Sequence, residues 1–389
     1  LTTGGDVYAW GANDDGQLAS NRSARLEVRP LKVSALTQVA SVSAYASTSA
    51  AVAAGSVWLW GRAVTRTAPA RMTGAVQSGE TPIGVVIGLD AGITVLSNRT
   101  LRVWSMSPSL TSSSAIVVRS DGSPLTGVAR VAGGDATFYA VTDDGQAWKF
   151  GDSVAQRVTL PSFAAAVDVA ASRAQVAWVS AAGEIFMQGN NAYGQLGIST
   201  VSGPTTALSP VQNISNARTV AVSRLHAVAS TSAGKLFAWG YNAFGELGGG
   251  ARQYVSEPLH AIDLGNYALI SPGRNHTLGL KSLSPSTGAG ALYAWGSNAE
   301  GQTGAPISAS GTIATPRQVM PPVQFVDAAA GDAHSAAAAD DGTVYTFGSN
   351  AQGQLGVGTY GGQAGPTRVS GVSAVRAVAV GLQSTYALT

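Results

Sequence analysis

Short apolar runs recur along the chain, separated by Gly, Asp and Asn. Residues 326–330 are one run, ending at Gly331, and residues 334–339 are a second. Asp340-Asp341-Gly342 then reads as a hairpin turn, because glycine takes the positive φ that a tight turn needs. Residues 343–347 alternate polar and apolar, the pattern of a strand with one buried side. A Pro-led segment, 366–369, reads as a fourth short strand at a sheet edge, where proline's missing donor is tolerated. The same order returns at 219–222, 227–230 and 235–239, and again at 128–131, 138–141 and 146–150. A more divergent stretch still keeps it, at 84–87, 93–96 and 100–104.

Each third run ends in Trp-Gly or a close stand-in. These are Trp10-Gly11, Trp60-Gly61, Trp104-Ser105, Phe150-Gly151, Gln188-Gly189, Trp239-Gly240, Trp295-Gly296 and Phe347-Gly348. The steps range from 38 to 56 residues, and the step from Gly348 round through the C-terminus to Gly11 is 52. A fixed period of this size marks one supersecondary unit repeated many times. Four short antiparallel strands per unit, in a ring, predict an all-β fold, a closed β-propeller of eight four-stranded blades. Residues 375–380 and 385–388 lack a third strand, and residues 7–10 are a third strand lacking its first two. The closing blade is therefore expected to be shared by the N- and C-termini, which removes two open edges. The repeats run end to end, so 1–389 reads as a single propeller domain.

Composition narrows the setting. Hydrophobic residues are 45%, charged residues only 11%, and the net charge is +2. No strong field for nucleic acid or membrane follows from that charge. There is no cysteine, so disulfides, thiolate metal sites and a cysteine nucleophile are excluded. No run of about 18 apolar residues exists to cross a bilayer as a helix. Few charges, many small residues and no cysteine suggest a secreted or bacterial cell-surface setting, with a cytoplasmic or organellar one as the alternative.

After the Trp-Gly strand come Gly11-Ala-Asn13-Asp-Asp-Gly16-Gln17-Leu18, the 189–197 and 240–248 segments, Gly296 to Gly304, and Gly348 to Gly356. Together with Gly-x-x-His-(Ser/Thr), these five copies resemble the regulator of chromosome condensation repeat family, over the whole chain. The resemblance implies a propeller that serves as a binding platform. The family's usual ring has seven blades, which stands as the alternative to the eight counted here. Its members include a nucleotide-exchange factor for a small GTPase, an ultraviolet photoreceptor and secreted β-lactamase inhibitors, so the fold alone does not choose a function.

The candidate chemistry reads mostly as structure. His226, His276 and His334 hold equivalent places in adjacent units, too far apart for one metal ion, and each is expected to tie its own blade's backbone. Asp14-Asp15, Asp143-Asp144 and Asp340-Asp341 each precede glycine, which is turn chemistry. The Asn and Gln of the loop segment are expected to bind that loop's own backbone. The photoreceptor's Gly-Trp-Arg-His-Thr is absent; Gly273-Arg274-Asn275-His276-Thr277 lacks the tryptophan. No catalytic residue, metal or cofactor is expected, and the chain reads as a non-enzymatic scaffold.

Three successive units, ending at Gly61, Ser105 and Gly151, lack the loop segment. That arc carries Arg62, Arg66, Arg71 and Arg119, which are the expected partner-binding residues. The expected partner is another protein or a surface glycan, with no nucleic acid and no membrane insertion. Two further readings stand beside it: an intracellular regulator of a small GTPase, and a propeller-fold enzyme acting on polysaccharide.

Overall fold

The computed structural model describes residues 5–389 apart from 21–24, 112, 162–163, 261–264, 266, 283–287 and 362. Its described strands number thirty-two and pair antiparallel into four-stranded sheets. The first, closing blade orders Leu26–Lys32, Val7–Ala12, Ser384–Leu388 and Ala377–Val380 from rim to axis. The second holds Val39–Tyr45, Thr48–Ala53, Ser56–Gly61 and Arg66–Arg71, and the third Pro82–Ile87, Ala91–Leu96, Leu101–Ser105 and Ser114–Ile116. The fourth holds Val128–Gly133, Phe138–Thr142, Ala147–Phe150 and Gln156–Val158, and the fifth Ala166–Ala171, Gln175–Ser180, Ile185–Asn191 and Ser202–Pro210. The sixth holds Ala217–Val222, His226–Thr231, Leu236–Gly240 and Val255–His260. Tyr267–Pro272, His276–Ser282, Gly290–Ser297 and Thr312–Gln318 form the seventh; Phe325–Ala330, His334–Ala339, Val344–Gly348 and Gln363–Arg368 form the eighth. The last two sheets join through one pair, Gly290 with Phe325.

Each blade's innermost strand touches that of the next, and Ala377–Val380 touches Val39–Tyr45, so the ring closes. Val7 pairs with Leu388 and Gly11 with Ser384, which joins the two ends of the chain in one sheet. Second strands lie between two strands and between two blades, so Thr48–Ala53, Gln175–Ser180, His226–Thr231 and His334–Ala339 are buried at every residue. Small side chains dominate there, His-Ser-Ala-Ala-Ala-Ala in the eighth blade, because neighbouring sheets must approach to about 10 Å.

The repeated glycine has a backbone cause. Gly11, Gly61, Gly189, Gly240, Gly296 and Gly348 sit at a bulge between third and fourth strands, with φ between +99° and +122°. A Cβ at any of them would lie 2.2–2.7 Å from a carbonyl oxygen, so only glycine fits. Where Ser105 replaces it, the pairing runs through Trp104 and Ser114 without a bulge.

Inner strands expose an edge to the axis, and a neighbour's side chains cap it. Ser41 and Ser43 accept the Val85 and Ile87 N–H groups at 3.4 and 3.3 Å. Ser271 accepts from Ala330 at 3.0 Å, and Asp327 accepts from Val378 at 2.9 Å. Backbone donors that sheet pairing leaves over thus gain partners from the next blade.

Candidate functional site

The loop after each third strand governs how blades meet. In the fifth blade, Asn191 accepts the Leu196 N–H at 3.0 Å and donates to the Thr200 carbonyl at 2.9 Å. Gln195 accepts the Tyr193 N–H at 2.8 Å. The same bonds recur at Asn242 and Asn350, and at Gln17, Gln302 and Gln354. With its own groups satisfied, the loop turns a carbonyl outward to the next blade. The Gln354 carbonyl accepts Trp10 Nε1 at 2.9 Å and Thr385 Oγ1 at 2.8 Å. The Glu246 carbonyl accepts Trp295 Nε1 at 2.7 Å and Thr277 Oγ1 at 3.0 Å. The Gln17 carbonyl takes Trp60 Nε1 at 2.6 Å and Ser49 Oγ at 3.1 Å.

The histidines complete this clasp, and here the expectation needs correction. His226 Nε2 bonds Thr277 Oγ1 at 3.0 Å, His276 Nε2 bonds Ser335 Oγ at 2.9 Å, and His334 Nε2 bonds Thr385 Oγ1 at 3.1 Å. Each partner belongs to the following blade, so Nε2 of each imidazole joins the next blade's hydroxyl rather than its own blade's backbone. The hydroxyl gives its proton to the loop carbonyl, so it must accept from Nε2–H. That assigns the neutral tautomer with Nδ1 bare. His276 and His334 pack their rings on Gly273 and Gly331, where a Cβ would lie 2.6–2.8 Å from ring atoms. The sixth blade has Ser223 at this place, and its hydroxyl lies 2.9 Å from His226 Nδ1. Burial pushes His226, His276 and His334 down to about 4, 3 and 4, respectively.

Five successive junctions, from fifth-to-sixth round to first-to-second, carry the loop clasp. The arc lacking it is closed differently. Thr73 N–H donates to the Leu110 carbonyl at 2.9 Å, and Val118 N–H to the Ser153 carbonyl at 2.8 Å. Val64, Met72 and Ala75 fill the space beside Trp104. Clefts of about 170 and 310 Å³ lie in this arc, the larger lined by Trp104, Ser113, Gly151 and Asp152.

The structure does not bring the four expected arginines together. Arg62 and Arg66 are exposed on one loop, with Arg66 paired opposite Gly61. Arg71 is opposite Trp58 at the far end of the same strand, about 17 Å away at ~3.3 Å per residue. Arg119 is half-buried, its guanidinium 5.6 Å from the Trp148 ring centre. The paired aspartates serve turns: Asp341 accepts the Thr343 N–H at 2.9 Å, and Asp144 bonds Thr142 and Gln146. Among the described residues, no group of three or more His, Asp or Glu could hold a metal ion.

Sequence patterning missed a feature of the loop face. The turns before the second strands place Arg173, Arg224 and Arg274 on consecutive blades, fifth to seventh. Asp135 pairs Arg173 at 2.9 Å and Asp332 pairs Arg274 at 3.4 Å. Arg224, between them, is exposed and has no ion-pair partner among the described residues. Beside it stand Tyr193, Tyr241 and Tyr254, with ring centres 5.1–5.4 Å apart.

These features define a closed propeller whose blades are locked by side-chain relays and whose chemistry faces its loops. Models of the regulator of chromosome condensation (RCC1) repeat match residues 4–52, 289–338 and 341–388, and a second such model matches 325–354. The chain is a β-propeller, and these segments of it are RCC1 repeats. Curated relatives include the human probable E3 ubiquitin-protein ligase HERC4, 30% identical over 200 residues, covering 50% of this chain and 18% of that protein. Human E3 ubiquitin-protein ligase HERC2 is 32% identical over 190 residues, covering 45% of this chain and 4% of its own length. The chain thus spans under a fifth of these relatives. Among solved structures, Prp20p of Saccharomyces cerevisiae superposes with a TM-score of 0.71 at 19% identity, covering 100% of this chain and 92% of that one. Human WBSCR16 gives 0.66 at 16%, covering 99% and 98%. Both likenesses are of fold.

Two expectations are corrected by these matches. The reading of the chain as non-enzymatic does not stand, since the relatives that it matches over about half its length are named E3 ubiquitin-protein ligases. The secreted or cell-surface setting, and a glycan partner with it, gain no support from relatives bearing such names.

Proposed function

We propose that the chain, as one ring over 1–389, is a protein-docking platform. The observation that carries this reading is the contrast between a locked interior and an open loop face. Relays and clasps spend the buried His, Trp, Asn and Gln side chains on joining blades, while Arg224, Arg62 and Arg66 stand exposed on loops. Rigid scaffolds with exposed arginine and tyrosine at loop positions are suited to protein recognition. Within this reading a small GTPase is the first partner class to test. RCC1-type propellers include an exchange factor of that kind by resemblance, and the Prp20p structure's description names binding to Gsp1p and to histones.

The test mixes purified chain with small GTPases loaded with fluorescent GDP. A stable complex with one nucleotide-free GTPase, and faster GDP release from it, is the expected result. Absence of any complex removes the GTPase reading. Failure of cross-linking in the native host to retain any protein removes the platform itself.

A further inference from the structure

We infer that the loop face of the fifth and sixth blades binds an acidic linear segment of a partner protein, an inference that rests on the platform reading above. The patch is built at a blade junction. Tyr193 comes from the fifth blade's loop, and Tyr241, Phe244 and Tyr254 come from the sixth. Tyr241 stacks on Tyr254 at 5.3 Å and 29°, and Tyr193 meets both edge-on. Tyr254 is 54% exposed, so the cluster is open to solvent. Tyr241 is tied beside the arginine turn, its N–H donating to the Leu225 carbonyl at 3.0 Å. Arg252 lies in the same loop as Tyr254, exposed and without an ion pair among the described residues.

The chemistry selects the occupant. Phenol hydroxyls and guanidinium groups offer donors, and the two arginines without an ion pair among the described residues supply positive charge, while Glu246, the carboxylate beside Tyr241, is buried. Asp135 and Asp332 neutralise the arginines on either side, which leaves Arg224 as the one of these three turn arginines without an ion pair among the described residues. The carboxylates of a segment rich in Asp and Glu would find guanidinium donors in Arg224 and Arg252, and its apolar side chains would lie on the tyrosine rims. Single-stranded nucleic acid is also polyanionic, but base stacking needs free ring faces. Here Tyr241 and Tyr254 stack face to face, and Tyr193 meets them edge-on. A net charge of +2 gives no broad field for a long polyanion.

The test measures fluorescence anisotropy of a labelled Glu/Asp-rich peptide carrying two leucines, against a matched Gln/Asn peptide. The intact chain should bind the acidic peptide, lose it as salt rises, and ignore the matched peptide. The double variant Arg224→Glu/Arg252→Glu should weaken binding by at least about tenfold. Tyr241→Phe/Tyr254→Phe, which keeps the rings and removes the hydroxyls, should weaken it several-fold. Arg62→Ala/Arg66→Ala should leave it unchanged. Equal binding of the matched peptide, indifference to the Arg224/Arg252 reversal, or preference for labelled oligo-dT overturns the inference. A chain that binds a GTPase in the preceding experiment yet ignores the acidic peptide also overturns it, while leaving the platform reading in place.

Discussion

Glu246 occupies the place that glutamine fills in the other four loops, and it is fully buried. Its Oε2 accepts the Phe244 N–H at 2.9 Å, while Oε1 is buried without a hydrogen-bond partner in the structure. Burial pushes its carboxyl up to about 7. A folded-state value above the unfolded one favours the protonated, folded form. That contribution is present below the unfolded value and lost as pH rises through about 7. Glu246→Gln keeps the acceptor and removes the charge, so it should raise Tm at pH 8 and change it little at pH 5. Equal shifts at both pH values would refute the buried-charge account. The histidines act with the opposite sign on the acid side. Their folded values, about 3 to 4, lie below the ordinary 6.5, so the unfolded chain binds protons first. The histidine contribution to stability should be complete above pH 6.5 and fall steadily toward pH 4. His276→Gln should flatten that acid limb in a series of thermal melts, at the cost of a lower Tm at neutral pH.

At the scale of elements, the loop segment is a fastener between blades. A Cβ on Gly194 would sit 2.6 Å from Ser256 Cα in the next blade's outer strand, and Gly245 approaches Ala314 in the same way. Asn350 holds such a loop by accepting from Leu355 at 3.0 Å and donating to Thr359 at 2.7 Å. Asn350→Ala leaves buried backbone groups unpaired and should cost about 2–3 kcal/mol in urea unfolding. Ser78→Ala, at an exposed turn, should cost under about 0.5 kcal/mol. Equal effects would mean that the loop carries no junction. The Asn and Gln of this motif were legible as loop-holding residues because their backbone partners lie two to nine positions away. The capping of Val85 by Ser41 was not, since the two lie in different blades, 44 residues apart.

The whole ring depends on one carbonyl that collects both ends of the chain. Gln354 O receives Trp10 near the N-terminus and Thr385 near the C-terminus, and His334 backs Thr385 from the eighth blade. Deleting Thr385 to Thr389 removes that hydroxyl and the strand that pairs with Val7 to Trp10. Two edges then open, so Tm should fall and light scattering should report aggregation on warming. An unchanged melting curve would show that the ring does not rely on this closure.

Strand order, hairpin turns, the sharing of the closing blade and the recurrence of glycine after tryptophan were set by the sequence alone. All are local properties: alternation, turn chemistry, and a period that returns to its start. Tertiary structure decided the rest. His226, His276 and His334 reach forward to hydroxyls 51 to 59 residues on, and no local pattern states which neighbour a buried ring will meet. Nor does spacing reveal that Asp135 and Asp332 neutralise two turn arginines while Arg224, near three tyrosines, has no ion-pair partner among the described residues. Those relations arise only when twisted sheets pack round an axis and bring residues from successive repeats within bonding distance.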